Sequence, residues 1–486
     1  MTEQESPSLF DRALSNLSAS WRDISVSAAR TVGLSVSDEA VADAARLQTQ
    51  MKECLEARGG EVSARVRAAS LGRAYLQLDA QGRALFLEVL ARDFAVEEAA
   101  VTEAIADYQA QEDEQGRIAA GLRLREVLEP PRVRLLHQFN SLPEGVKFLV
   151  DMRADLLPLL DRSPHLRALD QDLQDLLTSW FDSGFIDLRR ITWESSAALL
   201  EKLIAYEAVH EIQSWDDLRN RLDSDRRCYA LFHPRMPNEP LAFVEVALVE
   251  GIAGNVQDLL DENAPAADPA KADSAIFYSI SNTQRGLRGI TFGDFLIKMV
   301  VRELSQDLPR IKTFATLSPV PGLRVWLEGV DGESLDRFLG SDERSTIRKL
   351  GQSDDTAEAL KNLLARENWH RHAKAAESLK DPLLRLAARY FMEKRGNGQP
   401  IDPVARFHLR NGARLERINW LGDTSAKGLR QSAGIMVNYR YLLDDIEKNH
   451  EAYVAKGTVA VSSDVRSLMR RVRDSSSGTL RRLGLG

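Results

Sequence analysis

The chain has 486 residues, 44% of them hydrophobic and 28% charged, the balance of an ordinary soluble protein long enough for two or three cores. Lys and Arg total 64 against 72 Asp and Glu, and the formal net charge of -8 excludes a global field that draws it to nucleic acid or an anionic membrane. Only Cys54 and Cys228 occur, with no thiols or histidines at ligand spacing around them, which predicts a reduced, intracellular chain without a zinc site.

The acidic start Met-Thr-Glu-Gln-Glu-Ser-Pro has no apolar core, and Leu-Gly-Leu-Gly at the other end is no peroxisomal address. No apolar run approaches the roughly 20 residues of a spanning helix. These features predict a cytoplasmic protein. From about residue 37 to 180, apolar residues recur at three and four with turn signals between them, as in amphipathic helices. Ser37 reads as an N-cap with Asp38 and Glu39 behind it, and Gly59-Gly60 closes that helix after Arg58. Leu85, Val89 and Leu90 mark the inner face of a second helix. A third follows Pro130-Pro131 through Leu135, Leu136 and Phe139, and Val146 to Leu157 makes a fourth. Nothing here has catalytic spacing, and His137 and His165 read as surface or packing residues. Residues 1–185 are expected to form a helical scaffold or oligomerisation domain.

After about residue 185 the texture changes, which places a second domain at 186–486. Cys228 to Phe232 and Leu241 to Val249 are β-rich runs joined through Pro234, Pro237 and Pro240, as antiparallel strands are. Asp261 to Asp273, rich in Ala, Pro and Asp, reads as a surface loop. Ala275 to Ile280 is a strand, Phe295 to Leu304 a helix and Ile311 to Leu317 a strand; a helical insertion runs from about Asp354 to Lys394. A short helix and a strand follow. The fold class is α+β: an all-helical amino-terminal part, then a mixed α/β domain with a helical insertion.

Three constellations carry chemistry. In the first, strand residues up to Asn282 lead into Thr283-Gln284-Arg285-Gly286-Leu287-Arg288-Gly289, with a helix starting near Gly293. Glycines let backbone approach a phosphate, amides at the helix start donate to it, and Arg285 and Arg288 add charge, so a pyrophosphate fits; a basic surface turn is the bland alternative. This loop resembles the acyl-CoA site of the GNAT acetyltransferase superfamily, although Gly286 and Gly289 are three apart where that loop has two. In the second, Asp402 caps a helix opened by Pro403 and ended by Asn411-Gly412, with His408 near its end. His408 stands four before Gly412, where GNAT enzymes carry a Tyr that protonates the leaving thiolate, and a histidine suits proton donation near neutral pH better than a phenol. In the third, Thr316-Leu317-Ser318-Pro319-Val320-Pro321-Gly322 holds the Ser318 hydroxyl at a strand end before a forced turn.

Together with Phe148 to Leu156, His233-Pro234 to Leu241, Arg417 to Trp420 and Asn438-Tyr439-Arg440-Tyr441, these blocks make the chain, from about residue 65 to 450, similar to the malonyl-CoA decarboxylase family. The resemblance implies a helical amino-terminal domain, a GNAT-like catalytic domain, no metal or organic cofactor, and a homo-oligomer, a dimer or tetramer. It implies malonyl-CoA as substrate and acetyl-CoA as product, Ser318 and His408 as the catalytic pair, and Ser279 and Tyr441 as malonyl contacts. Gln284, Arg285, Gly286, Arg288 and Gly289 belong to the expected coenzyme loop. Thr291 stands where animal members have an acidic residue in the substrate loop. An acyltransferase acting on amines and a non-catalytic acyl-CoA sensor are the competing functions for such a fold.

Overall fold

In the computed structural model, which describes residues 44–56, 60–181, 183–290, 293–396 and 398–469, helices occupy the chain as far as Trp180. They span Ala44–Leu55, Gly60–Gln77, Ala80–Asp93, Glu98–Ala110, Glu114–Leu128, Pro131–Asn140, Gly145–Leu156 and Pro164–Trp180. Local signals set their starts. Asp79 accepts the Gly82 amide at 2.8 Å, and Pro131 and Pro164 occupy first-turn positions where no amide hydrogen is needed. Phe86, Leu90, Leu135, Phe139, Phe148, Leu149 and Leu173 meet in one apolar core. Val89 and Leu90 are buried as expected and Leu85 is half-buried. Gly60 opens the second helix instead of closing the first, while Ser37, Asp38, Glu39, Arg58 and Gly59 lie outside the described residues.

The rest of the chain builds an eight-stranded sheet from β1 (Asp187–Ile191), β2 (Arg226–Phe232), β3 (Ala242–Val249), β4 (Ser274–Asn282), β5 (Thr313–Thr316), β6 (Ser318–Pro319), β7 (Arg414–Asn419) and β8 (Met436–Arg440). The order is β1-β2-β3-β4-β5-β8-β6, with β7 also on β8. All pairs are antiparallel except β4 with β5, which the helix Gly293–Asp307 connects as a crossover. That parallel pair runs from Ser274↔Thr313 to Phe277↔Thr316, and the Leu317 amide still reaches Phe277 O at 2.9 Å. Beyond this point β4 continues beside β3 through Asn282, whereas the chain after β5 pairs with β8. The two parallel strands therefore part, and the candidate site forms where they do.

Two expectations change. The predicted strand from Ile311 to Leu317 is shorter, Thr313–Thr316, and an unexpected second strand follows it, in which Ser318 and Pro319 pair with Val437 and Met436 of β8. The helical insertion begins at Leu323, not near Asp354. Its members Leu323–Gly329, Gly332–Asp336, Ser341–Gly351 and Thr356–Ala365 are short, and two of them start at an Asp cap, as when Asp331 accepts the Ser334 amide at 2.7 Å. Helices of two or three turns give periodicity too little length to register. No helix of the described residues is long and apolar enough to cross a membrane.

Candidate active site

Thr316, at the end of β5, is fixed by both ends of its polar groups. Its carbonyl accepts Asn438 Nδ2 at 2.7 Å, and its Oγ1 accepts the Tyr439 amide at 3.1 Å. Two residues on, Ser318 Oγ lies 2.8 Å from Thr316 Oγ1. Pro319 disfavours the helical region for Ser318, so the serine stays extended and pairs with Val437. Asp402 caps the helix Pro403–Arg410 as predicted, accepting the Ala405 amide at 2.7 Å. The last turn of that helix turns His408 inward, where its ring stacks on Tyr439 with centroids 4.6 Å apart.

The ring nitrogens then complete a line. His408 Nε2 is 3.2 Å from Ser318 Oγ, and Nδ1 is 2.8 Å from the Tyr441 hydroxyl. Ser318, His408 and Tyr441 are 5%, 3% and 2% exposed, so this chain of hydrogen bonds lies in a place with little water. Burial pushes the His408 pKa down to about 3. The imidazole is therefore neutral near neutral pH. Both nitrogens are engaged, so a neutral ring can donate to one hydroxyl and accept from the other.

A cleft of about 710 Å³ is lined by Phe407, the chain neighbour of His408, while Ser318, His408 and Tyr441 do not line it. Arg285, Arg288, Arg406 and Arg410 line it, no carboxylate among the described residues does, and Phe407 on its wall touches the His408 ring with centroids 5.0 Å apart. Four guanidinium groups around one cleft fit a polyanion such as a coenzyme diphosphate. The loop 284–290 at one side is shaped by close contacts. A Cβ at Gly286 would stand 1.7 Å from Val150 O, and Gly289 has a φ of +87°. The amides of Leu287, Arg288 and Ile290 bond to Gln284 O, Arg285 O and Leu287 O and are already engaged within the loop. Gln284 points inward, donating to Pro240 O at 3.0 Å, and Thr283 bonds to the same carbonyl.

Ser279 is placed differently. Glu245 pairs with Ser279 and Val246 with Phe277, leaving Tyr278 as a bulge that sets Ser279 opposite Glu245. There the Ser279 hydroxyl lies 2.7 and 2.8 Å from the two Glu207 carboxylate oxygens. Glu207 also accepts the Val209 and His210 amides, each at 2.8 Å, and Ser281 Oγ at 3.1 Å. With two amides and the Ser281 hydroxyl also directed at it, Glu207 is the acceptor and the Ser279 hydroxyl donates to it. Thr291 lies outside the described residues.

The sequence reading missed Thr316 and Tyr439 as supports, Glu207 as the partner of Ser279, and Arg406 and Arg410 in the cleft. Only the last pair left a signal, four residues apart on one helix face and flanking His408. Among the described residues no group of three or more His, Cys, Asp or Glu side chains is gathered as a metal site requires.

Comparison with known proteins agrees with this architecture. The family model described as the malonyl-CoA decarboxylase N-terminal domain matches residues 94–181, and that described as its C-terminal domain matches residues 184–479. Curated proteins named "Malonyl-CoA decarboxylase, mitochondrial" from Anser anser anser and Rattus norvegicus are both 39% identical, over 84% and 82% of this chain and 84% of each relative. The solved malonyl-CoA decarboxylase of Rhodopseudomonas palustris is 43% identical with a TM-score of 0.79, covering 88% of this chain and 100% of that one. That of Agrobacterium vitis is 43% identical with a TM-score of 0.78, covering 87% and 100%. The goose and rat names correct the expectation of a cytoplasmic protein, as does the mouse relative, which is also named mitochondrial. Two buried, unpaired cysteines suit any reducing compartment and do not select the cytoplasm. The chain belongs to the malonyl-CoA decarboxylase family, and is a carboxy-lyase that converts malonyl-CoA to acetyl-CoA.

Proposed function

We propose that the chain decarboxylates malonyl-CoA through a thioester enolate, with Ser318, His408 and Tyr441 acting as one proton-handling unit. The observation that carries this is the buried line from Tyr441 through His408 to Ser318 and Thr316, set beside a cleft of four arginines. The arginines hold the coenzyme phosphates, and Phe407 leads the thioester end toward His408. The bond between the carboxylate carbon and the α-carbon breaks, its electron pair enters the thioester carbonyl, and CO2 leaves. The thioester is its own electron sink. Burial strips water from the carboxylate, whose charge spreads as CO2 forms, and hydroxyl donors offset the charge arriving on the thioester oxygen.

The enolate then takes one proton at the α-carbon, supplied in the end by solvent. A neutral His408 carries one ring proton, so it donates at one nitrogen and accepts at the other. When Ser318 or Tyr441 gives its proton to the α-carbon, His408 returns one from the hydroxyl at its other side. Ser279, committed to Glu207, shapes the strand end and is not a donor in this scheme.

A second reading has support in one distance. Ser318 Oγ at 3.2 Å from His408 Nε2, with Tyr441 behind the imidazole, is also the arrangement of an activated nucleophile that would form an acyl-enzyme. A single turnover in D2O, quenched in acid and read by mass spectrometry, separates the two. Free acetyl-CoA carrying one deuterium and an unmodified protein are expected; an acyl group on Ser318 overturns direct decarboxylation.

A further inference from the structure

We propose that Arg153, which belongs to the helical region, is a positioning residue for the coenzyme end of the substrate and acts by fixing the loop 284–290. This rests on reading the four-arginine cleft as the coenzyme phosphate site. Arg153 lies on the helix Gly145–Leu156, is 2% exposed, and is among the largest fully buried side chains of the molecule. Its Nη1 donates to Gly286 O at 2.7 Å and to Arg288 O at 2.9 Å. Its Nε donates at 2.8 Å to Asp170 Oδ1 on the helix Pro164–Trp180. One rigid guanidinium thus joins both helices to the loop between β4 and the crossover helix, and its fork sets where the loop carbonyls must be.

The consequence follows from the planarity of the peptide. A trans peptide points its N–H opposite its C=O, so drawing the Gly286 and Arg288 carbonyls toward the helix fixes the planes on both sides of Leu287 and Arg288. The Arg288 side chain is then projected into the cleft from a backbone that cannot rotate. The other contacts act in the same sense. The Val150 carbonyl leaves no room for a side chain at Gly286, and Leu287 and Ile290 are buried in the core that includes Val146, Val150 and Leu177. Arg153 is buried with charge-assisted partners and reaches the cleft only through the loop backbone, not lining it itself, so its effect on catalysis is confined to the coenzyme end. An ordinary cross-brace would weaken the fold without favouring one part of the substrate.

The test compares two substrates, malonyl-CoA and malonyl-pantetheine, which lacks the nucleotide and its phosphates. Arg153→Lys keeps the charge and loses the fork. It is expected to raise KM for malonyl-CoA roughly tenfold with kcat within about twofold, and to leave KM for malonyl-pantetheine unchanged. Asp170→Ala removes the carboxylate that orients Nε and should give a smaller shift, about threefold, with the same substrate pattern; it carries the test if Arg153→Lys does not fold. Equal losses on both substrates, or no change in either variant, overturn the proposal. Arg285→Ala combined with Arg288→Ala serves as the reference. If that variant raises KM for malonyl-CoA while the Arg153 and Asp170 variants do not, the Arg153 proposal fails alone; if it too is silent, the phosphate reading of the cleft fails.

Discussion

Tyr441→Phe isolates the hydroxyl behind His408. The ring is expected to stay, because it packs edge-on against Phe277 with centroids 6.5 Å apart and its backbone amide bonds to Phe314 O at 2.8 Å. What disappears is the 2.8 Å hydrogen bond to His408 Nδ1, in a place too buried for water to replace it. An unsatisfied buried partner costs about 1–3 kcal/mol of stability. The effect on catalysis is larger in proportion, because the imidazole loses both its orientation and the far end of its proton line. Loss of about a hundredfold in kcat is expected, roughly 2.7 kcal/mol of activation free energy, with KM little changed since the arginine cleft is untouched. Acetyl-CoA formation at saturating malonyl-CoA gives kcat, and urea unfolding gives the stability. A variant that unfolds earlier yet keeps kcat within about twofold would show that Tyr441 only fills space, and the three-residue unit would be refuted.

Thr316→Val keeps the shape of the side chain but removes the oxygen that meets Ser318 Oγ and the Tyr439 amide; kcat should fall about tenfold and Thr316→Ser should restore most of it. Arg285→Ala with Arg288→Ala should raise KM for malonyl-CoA more than it lowers kcat, since contacts remote from the reacting carbon bind substrate and transition state alike; an unchanged KM places the phosphates elsewhere. The buried His408 has a pKa of about 3, below the ordinary value of about 6.5, so between these limits the unfolded chain binds more protons and stability rises with pH. Wild type should therefore lose up to about 1.4 kcal/mol per pH unit more than His408→Gln as pH falls from 6.5 to 5, and equal slopes in chemical unfolding would contradict a buried neutral imidazole. EDTA should leave the rate unchanged, because the thioester accepts the electrons; loss of activity restored by a divalent metal would contradict this.

What the sequence revealed depended on how local the cause was. The cap at Asp402 acts within a few residues, and its helix was found near its true bounds. The site itself is non-local. Ser318 and His408 are 90 residues apart and His408 and Tyr441 are 33 apart, so a family resemblance could mark them but no spacing rule could show that Tyr441 orients the histidine. Ser279 was marked by the same resemblance, yet a one-residue bulge at Tyr278 decides what its hydroxyl meets. A bulge depends on how two strands pair, and period-2 patterning does not record it. The helical insertion was predicted too short because its first members are brief. Arg406 and Arg410 were legible in principle, being four apart beside His408, but helical charge pairs are common and only the cleft distinguishes this one.

The most direct test of the central claim is kcat for Ser318→Ala, His408→Ala and the double variant on malonyl-CoA alone, with folding verified by unfolding curves. Each single variant should lose about a hundredfold to ten-thousandfold, and the double should be little worse than the poorer single, because groups that act on one transition state through one hydrogen bond do not add their losses. Losses that multiply would mean independent roles, and a His408→Ala enzyme with near-normal kcat would contradict the proton-handling unit outright.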